Sequence, residues 1–144
     1  MAPNTKRVFY VNALSAPVYI DILAKRPDVQ LDKLVNDSPE AEAVRVLSQA
    51  HAYQIGSSRQ ELAMQYQGYT PLLLRCPNLV VLSTNGAGFD TVSLADATAA
   101  GVAVVNQAGT SPAMTVKSRT ESVRGSACWY YWLFAVASGP LGSL

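Results

Sequence analysis

Between Leu79 and Gly109 the chain reads LVVLSTNGAGFDTVSLADATAAGVAVVNQAG, and the segment Ser83–Gly88 within it has the residue types that bind rather than pack. Ser83, Thr84, Asn85, Gly86, Ala87 and Gly88 are all small or polar. Two glycines let the backbone take conformations that larger residues resist, and they let a ligand approach its N–H groups. A GxG alone is equally a tight turn between a strand and a helix. As a dinucleotide fingerprint it fails: the third glycine of G-x-G-x-x-G falls on Thr91, and no acidic residue stands about twenty positions on to hold a ribose.

Other residues capable of chemistry are sparse. His51 is the one histidine, with no serine or acid spaced to make it a general base, and it reads as structural. Asp90 reads as a loop residue that hydrogen-bonds backbone N–H groups at a helix entry. Cys76 and Cys128 are too few and too far apart for a disulfide framework or a CxxC metal site, and both read as buried or incidental thiols.

The elements that must carry the glycine loop follow from apolar patterning. Leu79–Leu82 is a continuous apolar run, which suits a parallel strand buried on both faces. Ser93 precedes LADATAA and can cap its free N–H groups, with Asp96 in the first turn; Gly101 closes the helix, and Val102–Val105 reads as a second buried strand beside the first. Ligands of open α/β sheets collect beyond the carboxyl ends of the strands, where Asn85–Gly88 and Asn106–Gly109 both fall.

Upstream, Val8–Val11 reads as a strand and VYIDILAKR, after Pro17, as a helix. Val29–Val35 has the alternation of an edge strand. Ser38 and Pro39 open a helix whose face is Ala43, Val44, Leu47 and Ala50. His51–Ile55 is a third strand, a helix begins at Arg59, and Thr70 and Pro71 start a short one leading to Leu79. Strands alternating with helices at this spacing predict an α/β fold with a flavodoxin-like, doubly wound parallel sheet.

NLVVLSTNGAGFDTVSLADATAAGVAVVNQAG resembles the end of the substrate-binding domain of the D-isomer-specific 2-hydroxyacid dehydrogenases. The resemblance rests on S-x-x-G-[AV]-G-[FY]-D closing a strand, then A-x-x-A-G-V-x-V-x-N, then Asn-Gln-Ala-Gly, in that order. It implies the same fold, a small 2-hydroxy or 2-oxo acid as ligand, and Asn85, Gly86, Ala87 and Gly88 as the loop whose N–H groups meet the substrate carboxylate. It also implies NAD(P) for the full-length family, although the Rossmann nucleotide domain and the catalytic Arg, Glu and His of the family have no counterpart here. Tight cofactor binding by this chain is therefore not expected. A second reading is a non-catalytic module that dimerises with itself or with an intact paralogue.

The family pattern breaks after Gly109, which divides the chain into a substrate-binding domain at 1–109 and an unassigned tail at 110–144. The tail gathers Cys128, Trp129, Tyr130, Tyr131 and Trp132 in a Ser- and Gly-rich context. Their codons read one nucleotide earlier give Leu-Val-Leu-Leu after the first position, the apolar composition of the family's crossover helix, so the tail reads as out of frame; the alternative is a genuine aromatic helix packed on the sheet. It is expected to be poorly packed and prone to self-association.

Bulk composition adds exclusions. The chain's 144 residues allow one domain with a core, and 49% hydrophobic with 15% charged residues argues against disorder. A formal net charge of +1 with scattered Lys and Arg gives no support for nucleic-acid binding. Asn12 and Pro17 interrupt the apolar run after Lys6 and Arg7, so a signal peptide is not read there. No run reaches the roughly 18–20 apolar residues of a membrane helix, and the expected location is cytoplasmic.

Overall fold

The computed structural model describes residues 5–14, 18–86 and 88–106. The expectations for the tail from Thr110, for Cys128 and for Ala87 lie outside them. Within the described residues the order is β1 (Lys6–Val11), α1 (Val18–Ala24), β2 (Val29–Leu34), α2 (Glu40–Leu47), β3 (Ala52–Ile55), a 3-10 turn (Met64–Tyr66), α3 (Thr70–Arg75), β4 (Val81–Thr84), α4 (Leu94–Ala99) and β5 (Ala103–Val105). The five strands form one sheet in the order β2-β1-β3-β4-β5, and every pairing is parallel. This is the flavodoxin-like order, in which the chain reverses its direction of progress between β1 and β3.

Side-chain alternation divides the core between the two faces. Phe9, Val11, Leu34, Tyr53, Ile55 and Leu82 point to one side, where Ala43, Val46 and Leu47 of α2, Leu72 and Leu73 of α3 and Ala97 of α4 meet them. Val8, Ala52 and Val81 point to the other, against Tyr19 and Leu23 of α1. Phe9 and Tyr53 stack across neighbouring strands with ring centroids 4.1 Å apart, and the buried Tyr53 hydroxyl donates to the Tyr66 carbonyl at 2.8 Å. A ring pair of this kind adds about 0.5–1.5 kcal/mol beyond its burial.

Several sequence expectations need correction. Val102–Val105 is adjacent to β4 but forms the outermost strand among the described residues, with Ala103 exposed and Val104 and Val105 half-buried. An apolar run of this length does not distinguish a central strand from an edge. β4 is interior, as expected, but begins at Val81 and extends to Thr84; Leu79 is buried in the connection from α3. The face of α2 is Ala43, Val46, Leu47 and Ala50, while Val44 is 49% exposed. Ser38 does not cap α2: its hydroxyl accepts the Val35 N–H, and Pro39 holds the cap position.

No helix starts at Arg59. Side chains take the carbonyls a helix would use: Asn12 Nδ2 and Asn36 Nδ2 both donate to Glu61 O at 3.0 Å, and Gln67 Nε2 donates to Leu62 O at 3.0 Å. The segment is held as an irregular loop by the distant Asn12 and Asn36 and by the nearby Gln67. β2 is an edge strand, as its alternation indicates, and Gly101, at φ 72°, closes α4. The bonds Gly101 N–H to Thr98 O and Val102 N–H to Ala97 O form the paired closure that a left-handed glycine permits.

His51 stands at the amino end of β3, on the sheet edge opposite the glycine loop. Its Nδ1 accepts the Arg7 N–H at 3.0 Å while its own N–H donates to Arg7 O at 2.8 Å, so the ring serves the β1–β3 seam, as a structural histidine would. Burial, then the charges of Lys6 and Arg7, hold its pKa below the ordinary 6.5. Cys76, also buried, has its thiol pushed up to about 12 by burial, which leaves it an unreactive packing residue.

Two expectations follow. Unfolded His51 takes up a proton more readily than folded His51, so its contribution to stability is complete above pH 6.5 and is lost as pH falls through the lower folded value. Thermal unfolding across that range should show a slope that His51→Gln flattens; identical slopes would remove His51 from the seam. At Gly68, a Cβ would lie 3.2 Å from both Leu82 Cδ1 and Val92 Cγ2. Gly68→Val should therefore cost about 1–3 kcal/mol in denaturant unfolding, and no loss would show that the packing yields freely.

Candidate functional site

Thr84 ends β4, and the chain turns at once into Asn85 and Gly86 at the carboxyl edge of the sheet. Asn85 N–H continues the ladder by donating to Ile55 O at 3.0 Å. Its side chain is also held, because Gln54 Nε2 donates to Asn85 Oδ1. Thr84 Oγ1 donates to Gly86 O at 3.2 Å across the turn. Gly86 then takes φ 116°, outside what a side-chain-bearing L-residue readily adopts.

The far end of the loop is tied as firmly. Thr91, fully buried, donates through Oγ1 to Gly56 O at 2.6 Å, joining the loops after β3 and β4. Arg59 Nε donates to Asp90 O, Arg59 Nη2 to Tyr69 Oη at 2.8 Å, and Tyr69 Oη to Asp90 O at 3.1 Å. Asp90 is thus used through its carbonyl, accepting side-chain donors, where the sequence reading has it binding backbone N–H groups. Gly68 N–H donates to Thr91 O at 2.7 Å and Ser93 N–H to Gly68 O at 3.0 Å, which seats the exit of the loop on the segment before α3.

Between these anchors the four sequence-predicted residues divide. The Asn85 N–H is committed to Ile55. The N–H groups of Gly86 and Gly88 have no acceptor among the described residues, and no atom lies within 4 Å of where either Cβ would stand. Ala87 lies outside the described residues. Gly88, unlike Gly86, does not hold a positive φ, so its value lies in openness rather than conformation. N–H groups with no acceptor among the described residues can receive a small anion by hydrogen bonding.

Ser93 Oγ accepts Asp96 N–H at 3.2 Å, the cap the sequence indicates for α4. The Asp96 carboxylate reaches to α3 and accepts Thr70 N–H at 2.9 Å; that bond holds the carboxyl below the usual carboxylate range. Thr70 is therefore capped by a distant acid and is itself the first residue of α3. A pyrophosphate does not fit here: the position of the third fingerprint glycine is the buried Thr91, and the start of α4 is occupied by its own cap and a carboxylate. No dinucleotide site is formed by the described residues.

The family model of the D-isomer specific 2-hydroxyacid dehydrogenase catalytic domain matches residues 8–117. The chain belongs to this family. Its match extends past Gly109 and leaves 118–144 outside. No curated protein matches the sequence. Among solved structures, the chain is similar to the NAD+-bound 3-phosphoglycerate dehydrogenase of Entamoeba histolytica, at 12% identity and a TM-score of 0.56 over 74% of this chain and 34% of that one. The D-lactate dehydrogenase of Aquifex aeolicus, complexed with NAD and lactic acid, aligns at 22% identity and a TM-score of 0.55, covering 74% and 29%. A 2-hydroxyacid dehydrogenase of Ketogulonicigenium vulgare Y25 aligns at 22% identity and a TM-score of 0.53, covering 69% and 29%.

These similarities support the fold, and the chain spans about a third of the length of the structures it matches. The chain is thus a D-2-hydroxyacid dehydrogenase domain with an open glycine loop where its sheet ends. Among the described residues, no helix is long and apolar enough to cross a membrane, and no cluster of His, Cys, Asp and Glu could hold a metal ion.

The two glycines should respond differently to substitution. Gly86→Ala forces a side chain onto φ 116° and should destabilise the domain by about 1–3 kcal/mol. Gly88→Ala adds a methyl group in open space and should be near neutral. Equal losses in thermal unfolding would mean that the turn is not held as described.

Proposed function

We propose that the loop after β4 receives the carboxylate of a small 2-hydroxy or 2-oxo acid, and that the chain supplies the substrate side of an NAD(P)-dependent oxidoreductase acting on the CH–OH group of such acids. The observation that carries this is the pair of N–H groups at Gly86 and Gly88 that have no acceptor among the described residues, with the ends of the loop tied to Gln54, Ile55 and Gly56. Free backbone donors held in place orient a carboxylate without adding a charge that would have to be neutralised when the ligand is absent.

Magnitudes limit what the loop does alone. Hydrogen bonds to a charged group contribute about 1.5–3 kcal/mol each before ordering costs, and a millimolar complex needs about 4 kcal/mol. Two such donors support binding near the millimolar range. The loop contains no proton-transfer side chain, and its residues do not hold a pyrophosphate. The 144-residue chain is therefore proposed to bind and orient the acid without turning it over.

Titrating D-lactate into the labelled 144-residue chain should shift the Gly86 and Gly88 amide resonances with millimolar affinity. Residues 1–109 joined in frame to a nucleotide domain of this family should reduce hydroxypyruvate or glyoxylate with NADH. Turnover by the 144-residue chain alone, or lactate shifts confined to other regions, would overturn the assignment.

A further inference from the structure

Gln54 is the least expected residue in the sheet. It lies in β3, in register with Tyr10 of β1 and Ser83 of β4, and only 1% of its surface is exposed. Along the same face, the preceding positions of the three strands are Val8, Ala52 and Val81, which form an apolar cluster. A glutamine breaks that pattern. Its Nε2 donates to Asn85 Oδ1, and its Oε1 is buried with no hydrogen-bond partner among the described residues.

A buried acceptor left unsatisfied lowers stability, and an apolar residue of similar size would not carry that cost. The carboxamide has one partner among the described residues, and that partner is the first residue of the glycine loop. Gly86 has no side chain to select its backbone conformation, so φ 116° is set by what holds its neighbours. Three bonds do this: Asn85 N–H to Ile55 O, Thr84 Oγ1 to Gly86 O, and Gln54 to the Asn85 side chain. The first two leave the Asn85 side chain unrestrained.

We infer that Gln54 is a positioning residue, which clamps Asn85 from beneath the sheet edge and thereby holds the Gly86 and Gly88 donors in the geometry that receives a carboxylate. The ligand part of this inference rests on the carboxylate reading of the loop. The ordering part does not.

The test uses the full 144-residue chain, labelled with 15N, and its variants Gln54→Leu, Asn85→Ala and the double substitution. Gln54→Leu should keep or raise the unfolding midpoint, because the orphaned acceptor is gone. It should nevertheless lower the order parameters of Gly86 and Gly88, speed Asn85 amide exchange, and weaken D-lactate binding by about tenfold, the worth of one hydrogen bond. Asn85→Ala, at the solvent side of the pair, should loosen the loop and weaken binding in the same way but lower the unfolding midpoint, because it leaves the buried Gln54 Nε2 without its partner; in loop order and binding the double variant should add nothing further.

Strict additivity of the two substitutions would overturn the inference, as would a loop whose order is unchanged in Gln54→Leu or a Gln54→Leu chain that fails to fold. If the wild-type chain binds D-lactate and Gln54→Leu binds it equally, positioning is refuted while the carboxylate reading survives. If the wild-type chain does not bind D-lactate and the loop still loosens in both variants, positioning stands and the carboxylate reading falls.

Discussion

Parallel strands all finish at one edge, and the backbone groups left there must find partners outside the ladder. In this domain that requirement organises the whole carboxyl end of the sheet. Asn12, at φ 64°, donates to Glu61 O and accepts Asn36 N–H; Asn36 in turn accepts Ala63 N–H through Oδ1. Thr91 satisfies Gly56, and Asn85 satisfies Ile55. The exits of β1, β2, β3 and β4 are thus stitched to one another by side chains drawn from each loop.

The opposite edge has a different task. There Arg7, buried, pairs with Asp32 at 3.1 Å and bonds Gln49, and His51 bridges β1 and β3. These contacts close the sheet where its strands begin. The two edges of one sheet therefore differ in how their backbone is engaged, and it is topology that separates them.

Much of this was legible in the sequence. The strand and helix alternation predicted the parallel sheet, the Ser93 cap and the Gly101 closure were read from their spacing, and the glycine loop was placed at a strand's carboxyl end. What was not legible is non-local. Nothing near Arg59 announces that Asn12 and Asn36 will take the Glu61 carbonyl that a helix needs there. Nor does a glutamine between Tyr53 and Ile55 announce that it lies under Asn85. β5 was misjudged because burial of a strand depends on what lies beside it, and composition does not record its neighbours. For the site, the sequence marked four loop residues; the structure commits the Asn85 N–H to the sheet, while the Gly86 and Gly88 N–H groups have no acceptor among the described residues.

Two glycines in this domain are irreplaceable for opposite reasons. At Gly68 the backbone torsions are ordinary, and the limit is room, since Leu82 and Val92 already fill the place of a methyl group. At Gly86 there is room on every side, and the limit is handedness. A residue of D configuration favours positive φ as an L-residue favours negative φ, so a D-alanine at position 86, introduced by chemical ligation, has the torsion that L-alanine lacks. The glycine there stands in for a chirality that ribosomal synthesis does not provide.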